Sequence, residues 1–66
     1  MEIEEYEKQV CRLNGRINET LAEAARLRRE GRLAEWAAME AEADRQIDAL
    51  VDLKSRLSRR RKEALV

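Results

Sequence analysis

The apolar residues of this chain form two stripes, each advancing in steps of three or four residues, with a single interruption between them. The first stripe is Ile3, Tyr6, Val10, Leu13, Ile17, Leu21, Ala24 and Leu27. The second is Leu33, Trp36, Met39, Ala43, Ile47, Leu50, Leu53 and Leu57. At about 100° per residue, such steps stay on one side of an α-helix. The residues between them, among them Glu4, Lys8, Arg12, Arg16, Glu19, Glu23 and Arg26, then face away. There is no proline, and Ala, Leu, Glu and Arg dominate, all good helix formers. The pattern predicts an all-α fold: an amphipathic helix over about residues 2–29, a turn over about 30–32, and a second helix over about 33–62.

The chain has two glycines, and they are predicted to do different things. Asn14-Gly15 is a turn signal by composition, yet Val10, Leu13, Ile17 and Leu21 keep their phase across it. With Ile3, Val10 and Ile17 at heptad position a, Gly15 falls at f, the outermost position, and the helix is expected to continue through it. Gly31 instead follows a basic last turn (Arg26, Arg28, Arg29) that suits the negative end of a helix, and glycine readily closes a helix in the left-handed conformation. No Ser, Thr, Asp or Asn stands at the start of the second helix, so Leu33 is expected to anchor the bend. Lys54 and Arg61 disturb the second stripe late, and the last few residues are expected to fray.

A turn this short makes the helices antiparallel. Glu2, Glu4, Glu5 and Glu7 then approach Arg56, Arg59, Arg60, Arg61 and Lys62, pairs that select the register more than they hold the fold. A two-helix hairpin has no closed core, and each exposed Leu or Ile forgoes roughly 1.5–3 kcal/mol of burial. The expected remedies are a second copy, giving a homodimeric four-helix bundle, or a groove on a larger protein.

Composition excludes other function classes. The chain has 66 residues, no His and one Cys, which leaves little for a zinc site or an internal disulfide. It offers no glycine-rich phosphate loop and no nucleophile elbow. Glu40 with Asp44 reads as a solvated face, and Cys11, at heptad position b, as a surface thiol. No catalytic residue, cofactor or metal is expected. No apolar run reaches the ~18 residues of a membrane span, and the acidic start MEIEEYEK is unlike a secretory signal. A cytoplasmic location is expected.

The candidate partner-binding residues are Trp36, Met39, Leu50, Leu53 and Leu57 for apolar contact, with Arg56, Arg59, Arg60 and Arg61 for charge. For Trp36 the alternative is a place in the hairpin core, and for the arginines a helix end neutralised by the dipole and the neighbouring glutamates. Nucleic acid is a disfavoured partner, because the net charge is zero and no aromatic interleaves the arginines. The expected function is a non-catalytic interaction protein, a small regulator or inhibitor that occludes a larger cytosolic protein such as a transcriptional regulator.

Taken whole, the hairpin resembles small helical regulators that phages and plasmids encode, namely the Rop-like hairpin dimers and the quorum-sensing anti-activators of Pseudomonas phages. Arg29-Glu30-Gly31 followed by Trp36 and an amphipathic run also looks like the hairpin co-chaperones of type III secretion. The likeness is one of architecture and carries no residue-by-residue roles. It implies a host-protein partner for the anti-activators, RNA for the Rop-like dimers, and a secretion partner for the co-chaperones. Zero net charge fits the RNA reading least well.

Overall fold

The structure is a computed structural model and describes residues 2–65. It is an antiparallel helical hairpin of α1 (Glu2–Arg29) and α2 (Leu33–Ala64), measuring 53 × 15 × 11 Å along its principal axes. α1 runs unbroken through Gly15, where an added Cβ would meet nothing within 4 Å. α2 stays helical two residues beyond the end expected from its stripe, to Ala64.

The bend is built from backbone geometry. Gly31 has φ 75°, the left-handed conformation. Its N–H donates to the Arg28 carbonyl at 3.1 Å, and the Arg32 N–H donates to the Leu27 carbonyl at 2.9 Å. Together these bonds form a Schellman closure. α2 starts without a side-chain cap. Arg32 instead holds Glu35, one turn in, through hydrogen bonds at 2.7 and 2.6 Å. Leu33 is 61% exposed and anchors nothing at the bend; the expected hydrophobic anchor is replaced by the glycine closure and this ion pair.

The two glycines make opposite predictions. Gly15→Ala should stabilise the hairpin by up to about 1 kcal/mol, because it improves helix propensity in open space. Gly31→Ala should destabilise it by about 1–2 kcal/mol, because a Cβ is disfavoured at positive φ. Paired thermal melts followed by helical ellipticity check both signs.

The buried residues are Ile17, Ala24, Leu27, Ala43 and Leu57, with Ala24 and Ala43 the most enclosed at 1% exposure each. Around them, Ile3, Tyr6, Val10, Leu13 and Thr20 of α1 and Trp36, Met39, Gln46, Leu50 and Leu53 of α2 are half-buried. With Glu23, Glu40 and Glu42 half-buried beside it, this set follows a strict alternation of three and four, the a and d positions of a heptad. Carried back from the bend, this alternation sets Leu27 level with Trp36, Ile17 with Gln46, Leu13 with Leu50, and Tyr6 with Leu57. At the open end, ion pairs Arg60–Glu2 at 3.4 Å and Arg61–Glu7 at 3.5 Å agree with that register.

Two stripe residues fall elsewhere than expected. Leu21 and Ile47 are 41% and 40% exposed, while the polar Thr20 and Gln46 take their places on the seam. The cause is angular. Each step of four advances about 40° beyond a full turn and each step of three falls about 60° short. Leu13–Ile17–Leu21 and Met39–Ala43–Ile47 are successive steps of four, so Leu21 and Ile47 have rotated off the seam. Thr20 and Gln46 lie one position back, in phase.

Candidate functional site

Because the seam uses positions a and d, the remaining positions define two broad faces with different chemistry. One face carries positions c and g of both helices: Glu2, Glu5, Gln9, Arg12, Arg16, Glu19, Glu23 and Arg26 of α1, and Glu35, Glu42, Arg45, Asp52, Arg56, Arg59 and Glu63 of α2. It holds no Leu, Ile or Val. Side chains on it pair within the same helix: Arg26 with Glu23, Arg45 with Glu42 at 2.5 Å, and Arg56 with Asp52 at 3.2 Å. The Arg26 guanidinium, hydrogen-bonded to Glu23, lowers that carboxyl below its ordinary range; Glu23 and then Glu30 raise Arg26 in turn. This face is well solvated, and neighbouring charges on it neutralise one another at these pairs.

The opposite face carries positions b and e. All five exposed large apolar residues lie on it: Leu21, Leu33, Ile47, Val51 and Leu65, with exposures of 41%, 61%, 40%, 60% and 87%. Cys11, also on this face, is exposed. Two open grooves run along it. One is lined by Val10, Cys11, Asn14, Lys54, Leu57 and Ser58 between the Glu7 and Arg61 ends. The other lies nearer the bend and is lined by Leu21, Ala25, Arg28, Arg29, Trp36 and Glu40. Among the described residues, Glu40, Asp44 and Lys54 on this face have no ion-pair partner, whereas Glu7 and Arg61 pair at 3.5 Å.

The residues expected to bind a partner are distributed differently. Leu57 is buried at 6% exposure. Trp36, Met39, Leu50 and Leu53 are half-buried. All five lie on the seam and face α1; Leu57 lines the first groove and Trp36 the second. The Arg28 guanidinium sits over the Trp36 ring, 5.4 Å from its centroid, a cation–π contact that covers part of the indole.

Arg56, Arg60 and Arg61 are engaged in ion pairs, with Asp52, with Glu2 and Glu63, and with Glu7 respectively. Arg60 is held above its ordinary pKa by the Tyr6 hydroxyl first, and then by Glu2 and Glu63. Arg59 is exposed on the charged face.

The sequence reading missed the exposed apolar face. Its signal is Val51, an apolar residue off the stripe and four positions after Ile47, so that the pair makes a short second stripe on one side of α2. Among the described residues, no group of three or more His, Cys, Asp or Glu side chains is placed to hold a metal ion. No helix of the described chain is long and apolar enough to cross a membrane. Comparison with protein-family models, curated proteins and solved structures finds no match to this chain.

Proposed function

We propose that this chain is a non-catalytic protein–protein interaction module, a small regulator or inhibitor that works by laying its apolar face against another protein surface and occluding it. The observation that carries this reading is the segregation of Leu21, Leu33, Ile47, Val51 and Leu65 onto one face, while the opposite face is charged and carries none of them. A monomer with no association role would gain solubility by scattering these side chains. Exposed apolar side chains gathered on one face mark candidate contact surfaces.

In this reading the contact residues are Leu21, Ile47 and Val51, with Trp36 and Leu57 lining the grooves. The charge-contributing residues shift from the arginine run to Lys54, Asp44 and Glu40. Binding in such sites depends on a few enclosed anchors more than on total area.

The test is the double variant Ile47→Asp with Val51→Asp, whose side chains already face water in the hairpin. Helical ellipticity of this variant should stay close to that of the parent chain. Sedimentation and affinity capture from the producing cell should lose at least tenfold in self-association or in captured protein, whichever the parent shows. Unchanged association on both measures would refute the assignment of the working surface.

A further inference from the structure

We infer that the apolar face is covered by a second copy of this chain, stacked face to face with the two bends at opposite ends. The inference rests on the proposed reading of that face as a contact surface and names its occupant. Three observations carry it: area, apolar matching and charge matching.

The hairpin is 53 Å long and 15 Å wide, so full face-to-face contact has a projected footprint of about 800 Å² per copy, of the order that a stable protein–protein interface buries on each side. Its residues on α2 are arranged symmetrically about Ala49. Ile47 and Val51 stand two residues either side, Asp44 and Lys54 five, and Leu33 and Leu65 sixteen. An antiparallel α2–α2 contact across a two-fold axis at Ala49 therefore sets Ile47 on Val51 of the other copy, Asp44 on its Lys54, and Leu33 on its Leu65. Every one of these contacts occurs twice, as two-fold symmetry requires.

By the register of the hairpin the same axis crosses α1 level with Asn14, where the Asn14 amides of the two copies meet and are able to hydrogen-bond to each other. With bends at the same end, α1 would lie on α2 instead. Ile47 and Val51 would then fall nearest Cys11, Asn14 and Asn18, and Leu21 between Glu40 and Asp44. Only the opposed arrangement sets Ile47 on Val51 and Lys54 on Asp44, with Glu40 meeting Ser58 of the other copy. A larger partner using this face has to displace the second copy, so its binding competes with dimerisation.

The experiment is a charge swap. Asp44 and Lys54 lie ten residues apart on one helix, about 15 Å along its axis, too far to pair within a molecule. Asp44→Lys alone and Lys54→Asp alone each replace two attractive contacts by two repulsive ones. Each should weaken dimerisation about tenfold or more at low salt. The double variant Asp44→Lys with Lys54→Asp should restore it.

Spin labels at Ala34→Cys in a Cys11→Ser background should then report a distance of about 45 Å between copies, against less than about 30 Å for bends at the same end. A parent chain that stays monomeric, a double variant that fails to restore the dimer, or a short label distance would each overturn the inference. A monomeric parent that still captures another protein, and loses it on Ile47→Asp with Val51→Asp, would overturn only the second copy and leave the proposed function standing.

Discussion

Leu27→Ala is expected to be among the most damaging single changes to this hairpin, lowering its stability by about 2–3 kcal/mol. Leu27 is 3% exposed, the most enclosed large side chain of the molecule. It sits one layer from the bend, where its carbonyl also accepts the Arg32 N–H that closes α1. Truncation removes several methyl and methylene groups and leaves a gap that two stiff helices joined by a short turn can only partly collapse. The lower part of the usual Leu→Ala range applies, because one side of every layer here opens to solvent. For a chain this small, such a loss lowers the melting temperature on the order of 10–20 °C. Leu21→Ala is the matched control: Leu21 is 41% exposed, so its hairpin cost should be less than half as large, with its effect falling on association. Thermal melts of both variants at one concentration compare them; equal losses would place Leu21 on the seam and contradict the register.

Gln46→Leu is expected to act in the other direction and raise stability by about 1–2 kcal/mol. Gln46 takes a seam position. Its amide nitrogen reaches Glu42 only at 3.4 Å, and its Oε1 is buried with no hydrogen-bond partner. A buried acceptor left without a partner has given up water for nothing. Leucine of similar volume removes that cost and packs at the level of Ile17. The melting temperature should rise by roughly 5–15 °C. A fall on substitution would mean that Gln46 is satisfied in solution and that its polar contact is worth more than leucine's burial. A single polar residue on a seam can also specify register, so the variant's label distances between helices should be checked against those of the parent.

The hairpin itself was legible in the residues because helix, bend and partner preference agree. The stripes gave the helices, their phase across Gly15 showed that α1 does not turn there, and Gly31 after a basic turn gave the closure. The pairing of Glu2 and Glu7 with the basic end followed from antiparallel order alone. What the residues concealed was rotation within each helix. Hydrophobicity favours Leu21 and Ile47 for the seam, and geometry selects Thr20 and Gln46, because two stiff helices in contact must keep one alternation along their whole length. That rotation of a single position decides which face is oily. It moves the proposed contact surface from the arginine-rich end to the middle of α2, with Trp36 half-buried and Leu57 buried on the seam.

The proposed association requires these side chains to be more than a lone hairpin can shelter. Sedimentation equilibrium of the purified chain from about 1 to 100 µM, with melting temperature recorded across the same series, tests this most directly. Association that increases over this range, with a melting temperature that climbs alongside it, is the expected result, since binding to the folded form stabilises it by mass action. A well-ordered monomer at every concentration, melting at one unchanging high temperature, would contradict it.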